Sequence, residues 1–421
     1  MDINKLLEGF ECSCGKKHTC PIQYVYVEKN AMARLTQICA DYQKILIVAD
    51  ENTFAAAGEK TLSALAGKDL RQVMFSGKEI LVPNEVAIDK VTENLSDAEL
   101  ILGIGSGVIQ DLCKYVSHFQ KIPYMVVATA PSMDGYASTG AAMITGGMKV
   151  TYSAGLPVAL VADTEVLKNA PMEMLKAGYG DVIGKFSALN DWELSREVTG
   201  EYFCQYIYDL TYEQIETTLK LADGILERNE DSVKALMDAL VIIGIMMSFA
   251  GSSRPASGSE HHLSHFFEVT GIVDGTEYFP HGIDVAYSTV ITAGVREKIL
   301  AKPFPKTIYR PEREAYEKEM ARIYKEVAEG FIQLQDKIGN YKADRAEIYL
   351  AKEKEIRAIF AKMPTAKEIE AMLAKVEMDM KEFYELYGED KIRDAVLYAK
   401  DIKDRYSALW VNYDYYGGEN A

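Results

Sequence analysis

The chain has 421 residues, 48% of them hydrophobic, and its 63 acidic against 46 basic side chains give a formal net charge of -17. A chain of this length exceeds what one hydrophobic core usually supports, so we expect two domains. The acidic excess repels the phosphates of nucleic acids and of anionic membranes, which argues against both as partners.

The N-terminal sequence MDINKLLEGF lacks the basic leader and the apolar stretch of a signal peptide. The longest apolar run, residues 239–251, is shorter than a bilayer span and is interpreted as a buried helix. We therefore expect a cytoplasmic protein with reduced cysteines. Near the N-terminus, four potential metal ligands lie close together in the sequence: Cys12, Cys14, His18 and Cys20. They form either a small zinc knuckle or a folded turn before the strand QYVYVE.

Between residue 44 and about residue 165, short β-branched runs alternate with amphipathic stretches, which predicts a parallel sheet wrapped by helices. The predicted strands are KILIVAD, RQVMF, ELILGIG, PYMVVAT and PVALVAD. Beyond Glu165 long helical patterns take over, and the charge-dense helices after residue 300 are interpreted as solvated faces without chemistry. We predict an α/β fold, with a doubly wound, mostly parallel nucleotide-binding domain over residues 1–165 and an all-helical domain over residues 166–421.

A glycine cluster, Gly103-Ile-Gly105-Ser-Gly107, follows the strand ELILGIG and opens a helix, which predicts phosphate binding at the helix start. The glycines could also serve packing alone. The pattern is not the GxGxxG of Rossmann dehydrogenases, so a variant fold is expected. Asp50, at the end of KILIVAD, either accepts hydrogen bonds from an adenosine ribose, favouring NAD over NADP, or caps the next turn.

A second group of residues has the chemistry of a metal site. Asp181 lies in GYGDVIGK, and the histidines at 261, 262, 265 and 281 fall within 21 residues. On a helix His261 and His265 share a face, whereas His262 points about 100° away. One carboxylate with two imidazoles suits Zn²⁺ or a related divalent ion and leaves a position open for a substrate oxygen. The alternative is histidines that cap helices or pack in a core.

Five motifs together carry a family resemblance: GSGVIQD (105–111), TAPSMDGYAS (129–138), GYGDVIGK (178–185), SRPASGSEHHLSH (253–265) and PHG (280–282). Over about residues 20–295 the sequence resembles the sn-glycerol-1-phosphate dehydrogenase family, within the wider group of iron-containing alcohol dehydrogenases, glycerol dehydrogenase and dehydroquinate synthase. The resemblance implies a cytoplasmic homo-oligomer that reversibly reduces dihydroxyacetone phosphate to sn-glycerol 1-phosphate with NAD(P)H and a divalent metal, expected to be Zn²⁺.

The matched motifs also imply residue roles. The implied metal ligands are Asp181, His261 and His281. The implied cofactor-binding residues are Gly105, Ser106, Gly107, Val108, Ile109, Thr129 and Ser138, and we expect Asp111 and Ser132 to bind the cofactor as well. Expected against the substrate are Asp134, Asp181, Arg254 and His265. Asp134 and His265 are the expected catalytic groups, with His265 relaying a proton, although Asp134 could instead stabilise a tight turn. Lys149, Lys185 and Arg254 are candidates for the phosphate-binding cation, and Arg254 is favoured because guanidinium grips phosphate in a bidentate way.

Three other functions have to be weighed against this one. A polyol dehydrogenase with an unphosphorylated substrate would share the metal triad and differ in its pocket. A lyase or synthase that uses bound NAD⁺ transiently, as dehydroquinate synthase does, would show no net change in NADH. A regulator that binds metal or nucleotide would show no turnover.

Overall fold

The computed structural model describes residues 2–79, 81–146, 148–304 and 306–417. The chain forms two compact units, of which the first combines Met1–Tyr179 with Glu216–Ser253 and the second combines Gly180–Ile215 with Arg254–Ala421. These units differ from the continuous ranges 1–165 and 166–421 expected from the sequence. The change from strands to helices does fall near residue 165, but the chain later returns to the first unit with an apolar helix.

Ten strands occur in the described residues: β1 (Phe10–Glu11), β2 (Lys17–His18), β3 (Tyr24–Glu28), β4 (Lys44–Asp50), β5 (Asp69–Phe75), β6 (Leu100–Gly105), β7 (Tyr124–Ala128), β8 (Gly140–Thr145), β9 (Met148–Ser153) and β10 (Ala159–Asp163). Six of them form one sheet in the order β3-β10-β7-β6-β4-β5, and every neighbouring pair is parallel. This confirms the predicted parallel sheet. The antiparallel pairs β1-β2 and β8-β9 lie outside it.

Nineteen α-helices occur in the described residues: α1 (Ile3–Leu7), α2 (Leu35–Ile38), α3 (Glu51–Ala64), α4 (Glu85–Glu93), α5 (Gly107–Gln120), α6 (Thr164–Leu167), α7 (Met172–Thr199), α8 (Gln205–Lys220), α9 (Asp223–Leu226), α10 (Glu230–Ala250), α11 (Ser259–Asp274), α12 (His281–Leu300), α13 (Arg313–Tyr324), α14 (Ala328–Ile338), α15 (Ala346–Ala351), α16 (Glu353–Phe360), α17 (Ala366–Ala374), α18 (Met380–Tyr398) and α19 (Ala408–Tyr416). Short 3₁₀ turns cover Ala31–Arg34, Asp134–Ala137, Lys325–Val327, Asn340–Lys342 and Ala399–Ile402. Beyond Asp163 the described part of the chain contains no strand, which confirms the predicted helical half.

The core of the first unit is built on the apolar inner strands of the sheet. Nearly every residue of β4, β6, β7 and β10 is buried, as is usual for a parallel sheet. Helix α10 also belongs to this unit. It is long and apolar enough to span a membrane by composition, but 78% of its most apolar stretch is buried inside the structure. The interpretation of residues 239–251 as a buried helix is therefore confirmed.

The second unit has its own core, to which the charged C-terminal helices contribute their inner faces. Fully or almost fully buried there are Tyr349, Ile356, Phe360 and Trp410. The high charge after residue 300 thus marks the outer faces of helices whose apolar faces complete this core.

Candidate metal centre and nucleotide loop

Residues of three helices bring a carboxylate and two imidazoles together in the second unit. Asp181 lies on α7, His261 on α11, and His281 is the first residue of α12. One ligand atom from each residue lies within 4.8 Å of the other two, with Asp181 and His261 buried and His281 partly exposed. This is the set of metal ligands that the family resemblance implies.

The glycines of GYGDVIGK explain why α7 and α12 approach each other so closely. A Cβ atom added to Gly180 would lie 2.4 Å from the Gly282 carbonyl oxygen, and one added to Gly184 would lie 2.5 Å from the Val285 side chain. Both glycines are four residues apart on one face of α7. Their missing side chains allow the helix contact that places Asp181 beside the start of α12.

Hydrogen bonds hold both imidazoles with their Nε2 atoms available for a metal. The Nδ1 atom of His261 lies 2.7 Å from Oε1 of Glu260, and Nδ1 of His281 lies 3.4 Å from Oγ of Ser264. The His261 Nε2 atom in turn lies 3.7 Å from Oδ1 of Asp181. A metal-binding histidine usually donates its other N–H in this way, which fixes the tautomer and the ring orientation.

The electrostatic environment favours the metal-binding protonation states of Asp181 and His261. Burial alone would raise the pKa of Asp181, but the Lys185 ammonium, 2.6 Å from its Oδ1 atom, outweighs burial and holds this pKa below its ordinary value. Burial, aided by the charge of Lys185, holds the pKa of His261 well below its ordinary value. An ionised carboxylate beside a neutral imidazole fits Zn²⁺ or a related divalent ion.

The other two histidines of the cluster lie outside this ligand set. The His265 ring centre lies 5.5 Å from that of His281 and 6.2 Å from that of His261, and its Nδ1 atom is 3.7 Å from Glu268. His262 is fully buried and does not belong to the triad. His265 thus adjoins the triad as a further titratable group.

In the first unit, the glycine loop has the predicted order of strand, turn and helix. Strand β6 ends at Gly105, Ser106 is the N-cap, and α5 begins at Gly107. A Cβ on Gly105 would lie 2.6 Å from the Ile109 Cβ atom, so packing alone requires glycine there. A Cβ on Gly107 would meet only Met133 side-chain atoms, at 3.8 Å. Packing does not require glycine at position 107, which favours close approach of a ligand to this backbone.

Two side chains of α5 that the sequence did not single out hold the segment TAPSMDGYAS in place. The Gln110 amide donates to the carbonyls of Gly135 and Tyr136, at 3.2 and 2.8 Å. The Lys114 ammonium donates to the carbonyls of Gly135 and Gly140, at 3.0 and 2.7 Å, and is fully buried. Both residues follow the glycine loop and are four residues apart, so they share one face of α5. This spacing is the sequence signal that could have indicated their common role.

Within that segment the predicted residues have the following contacts. The Thr129 amide donates to the Gly105 carbonyl at 3.2 Å, and the Ser138 hydroxyl donates to the Gly135 carbonyl at 3.1 Å. Asp134 is buried and opens the turn Asp134–Ala137, while Ser132 is partly exposed. The turn-forming role considered for Asp134 therefore agrees with its position, and the substrate contact stays a prediction.

Two acidic residues predicted to bind cofactor have structural partners. Asp50 caps α3, because its Oδ1 atom accepts hydrogen bonds at 2.9 Å from the amides of Asn52 and Thr53. Asp111 lies 3.4 Å from the Lys114 ammonium and accepts from the Ala142 amide at 3.2 Å. Their contacts with a cofactor stay predictions.

The three cations considered for the phosphate group differ in their contacts. Arg254 is 4% exposed, and its guanidinium donates to both carboxylate oxygens of Glu201, to the Tyr406 carbonyl and to Ser195. Lys185 is fully buried against Asp181, and the Lys149 side chain lies outside the described part of the structure. The contacts of Arg254 serve to join segments of the second unit and do not favour the phosphate role predicted for it.

Comparison with known proteins gives two kinds of similarity. Residues 26–171 match the family described as iron-containing alcohol dehydrogenase. The chain is 34% identical over 289 residues to a glycerol-1-phosphate dehydrogenase, NAD(P)⁺-linked, of Geobacillus stearothermophilus, covering 67% of this chain and 72% of the relative. It is 38% identical over 248 residues to the enzyme of the same name from Methanosarcina acetivorans, covering 57% and 68%.

Solved structures show the same fold at lower sequence identity. Glycerol dehydrogenase from Schizosaccharomyces pombe superimposes with a TM-score of 0.55 at 18% identity, over 90% of this chain and 95% of that chain. An alcohol dehydrogenase from Oenococcus oeni superimposes with a TM-score of 0.58 at 15% identity, over 92% and 94%. At these identities the likeness concerns the fold alone.

Proposed function

The chain belongs to the sn-glycerol-1-phosphate dehydrogenase family, and from this premise we propose that Asp181, His261 and His281 hold the metal of its reaction. The enzyme is an oxidoreductase that acts on a CH–OH group with NAD(P). It reduces dihydroxyacetone phosphate to sn-glycerol 1-phosphate, and the reaction is reversible. The observation that carries the site proposal is the convergence of the three ligands on one point, with both imidazoles oriented by Glu260 and Ser264.

In the reduction, a hydride passes from the nicotinamide to the carbonyl carbon, and the carbonyl oxygen takes up a proton. A divalent ion at the triad, which we propose to be Zn²⁺, supplies Lewis-acid polarisation of that carbonyl. Asp181 contributes negative charge and the imidazoles contribute neutral donors, so the site keeps a net positive charge when loaded. Such a charge stabilises the negative charge that develops on the substrate oxygen.

We propose that the nucleotide binds at the start of α5, where Gly107 leaves the backbone accessible. The amides of this first helical turn and the helix dipole favour the pyrophosphate. Gln110 and Lys114 hold the neighbouring segment 129–138, from which Thr129, Ser132 and Ser138 are proposed to reach the cofactor. The carboxylate of Asp50 is proposed to favour NAD over NADP, in addition to capping α3.

We propose that His265 transfers the proton. Its ring is close to both imidazoles of the triad, it lies outside the ligand set, and its side chain is 15% exposed. Imidazole exchanges protons near neutral pH, and positioned general acids typically contribute about 10²–10⁴-fold to the rate.

The variant His265→Ala is expected to keep its metal and to lose about 10²–10⁴-fold in kcat. Metal content by mass spectrometry and steady-state kinetics measure both effects, and free imidazole in the assay is expected to restore part of the rate. The exposed His118, changed in the same way, serves as the control and should leave kcat unchanged. Loss of metal from His265→Ala, or a kcat close to that of the native enzyme, would contradict the proton-transfer role.

For the substrate phosphate we propose Lys403, a residue of the charged C-terminal region to which the sequence pattern assigned no chemistry. Its ammonium lies 3.5 Å from the Ser257 hydroxyl, in the motif SRPASGSEHHLSH, and its side chain is partly exposed. The positive charge of Lys403 also lowers the pKa of His261, after burial, Lys185 and His281, and Ser257 lies four residues before this triad ligand in the chain. Arg405 donates to the Ser257 carbonyl at 3.0 Å and secures the same loop.

Replacing Lys403 with Met is expected to raise the KM for dihydroxyacetone phosphate about tenfold, which corresponds to about 1.4 kcal/mol, because a charge-assisted contact is lost. Turnover of unphosphorylated dihydroxyacetone should stay as it is in the native enzyme. The matched control is Lys302→Met, at an exposed lysine of the same unit. An equal effect on both substrates would assign Lys403 a structural role only.

The function as a whole is tested by a chiral product assay with dihydroxyacetone phosphate and NADH or NADPH, before and after chelation. We expect sn-glycerol 1-phosphate, formed only by the metal-loaded enzyme. Formation of sn-glycerol 3-phosphate, preference for unphosphorylated dihydroxyacetone, or turnover without net oxidation of NADH would each contradict the proposal. We further propose a cytoplasmic homo-oligomer without nucleic-acid or membrane partners.

A further inference from the structure

The N-terminal hairpin of the first unit brings three potential metal ligands together. Strands β1 and β2 pair Phe10 with His18, and the turn between them is closed by hydrogen bonds from the Cys12 amide to the Lys16 carbonyl, at 3.1 Å, and from the Gly15 amide to the Cys12 carbonyl, at 3.0 Å. Gly15 has the left-handed backbone conformation, with φ of 85°. This tight turn carries Cys12 and Cys14 back toward His18.

The donor atoms have the spacing of a metal site. Cys12, Cys14 and His18 each offer one ligand atom within 4.8 Å of the others, and Cys14 Sγ lies 3.5 Å from His18 Nε2. In a tetrahedral zinc site, bond lengths of about 2.3 Å to sulfur and about 2.0 Å to nitrogen put these two donors about 3.5 Å apart. The pair therefore already has the separation that one shared zinc ion would impose.

The His18 ring is oriented as a metal ligand would be. Its Nδ1 atom lies 3.2 Å from the Phe249 carbonyl oxygen, so that an Nδ1–H donor leaves the Nε2 lone pair directed toward Cys14. The ring is fully buried, stacks on Phe249 with centres 5.2 Å apart, and meets the edge of Phe10 at 5.4 Å. A backbone carbonyl on the second ring nitrogen is the usual support of a metal-bound histidine.

Cys20 does not belong to this cluster. Its side chain is buried, and burial raises the pKa of its thiol. Of the four ligands considered from the sequence, Cys12, Cys14 and His18 therefore remain and Cys20 does not. None of the six cysteines, all in the described ranges, forms a disulfide.

We propose that Cys12, Cys14 and His18 supply three ligands of a second metal site, separate from the Asp181 triad, which takes Zn²⁺. Two thiolates with one imidazole form a softer ligand set than the carboxylate and imidazoles of the triad, and such a set favours softer metal ions. Because His18 is also bonded and stacked to Phe249, at the end of α10, the bound metal would fasten the N-terminal hairpin to that helix. The proposal is independent of the reaction proposed above.

Metal content and the spectrum of the cobalt-substituted protein test the proposal in the full-length chain. We expect two equivalents of metal in the native protein and one in the double variant Cys12→Ser/Cys14→Ser. With Co²⁺, a thiolate-to-metal charge-transfer band should appear in the native protein and in His281→Ala, and it should be absent from the double variant. The triad contains no sulfur, so this band reports on the cysteine site alone. Cys20→Ala is the matched control and should keep the band.

A second measurement uses the native chain and does not depend on the folding of a variant. With Zn²⁺ bound, Cys12 and Cys14 should resist alkylation by N-ethylmaleimide, and chelation should expose both, as mapped by peptide mass spectrometry. The proposal is overturned if the native protein binds only one equivalent and shows no sulfur band with saturating Co²⁺. Equal alkylation of Cys12 and Cys14 with and without metal would also overturn it.

Discussion

The variant His281→Ala is expected to lose about three orders of magnitude in kcat/KM for dihydroxyacetone phosphate, equivalent to about 4 kcal/mol of transition-state stabilisation. It removes one of three ligands from the triad, and the charge on the substrate oxygen would then lack its main stabilising partner. Steady-state kinetics, metal content and thermal unfolding should be measured together. The bound metal should fall by one equivalent, while the unfolding temperature measured without metal stays close to that of the native chain.

His281 is the most suitable member of the triad for this test because it is partly exposed and its Nδ1 atom lies beside a neutral hydroxyl, that of Ser264. Replacing Asp181 would leave the buried Lys185 ammonium without its carboxylate, and breaking a buried ion pair typically costs about 3–5 kcal/mol of folding stability. With such a loss of stability, a drop in activity could result from misfolding and not from loss of the metal. An active, fully metal-loaded His281→Ala enzyme would rule out the triad.

The variant Gly107→Val is expected to lower kcat/KM for NADH about 100-fold, or about 2.7 kcal/mol, without a change in stability. The new side chain has room within the protein, since a Cβ there meets only Met133 atoms at 3.8 Å, but it would occupy the space through which the pyrophosphate approaches. Kinetics with varied NADH, together with thermal unfolding, separate the two effects.

Two further glycine substitutions make this comparison specific. Gly105→Ala should reduce stability, by about 1–3 kcal/mol for an overpacked site, since its Cβ would lie 2.6 Å from the Cβ of Ile109. Gly330→Val, in the first turn of α14 with nothing within 4 Å of the added Cβ, controls for valine near a helix start and should change neither quantity. Normal NADH kinetics in Gly107→Val would place the nucleotide elsewhere.

The parallel sheet could be predicted because its inner strands are fully buried, and burial demands continuous apolar runs such as KILIVAD. The order of the strands could not be predicted, because QYVYVE forms β3 and pairs with β10, a strand that lies more than one hundred residues later in the chain. The hairpin β8-β9 was also missed, because the segment 140–153 mixes glycine, alanine and threonine without a strong strand pattern.

In the candidate site, residue types and spacing indicated the metal ligands but not the residues that support them. Glu260 was overlooked because no helical period relates it to His261, its immediate neighbour. The phosphate role favoured for Arg254 came from the chemistry of guanidinium, whereas the fold surrounds this side chain with Glu201, Ser195 and Tyr406. These partners lie 53 to 152 residues away in the chain, so local sequence patterns do not predict these contacts.

Because the chain alternates between its two compact units, the first unit cannot be completed until part of the second unit has been synthesised. A nascent chain that has reached Tyr179 contains the whole parallel sheet but lacks Glu216–Ser253, which includes the apolar helix α10. Until that segment has left the exit tunnel, the surface that α10 covers in the first unit stays exposed to other chains and to chaperones. A truncated product that ends at residue 165 or 179 should accordingly aggregate, even though it holds every strand of the sheet.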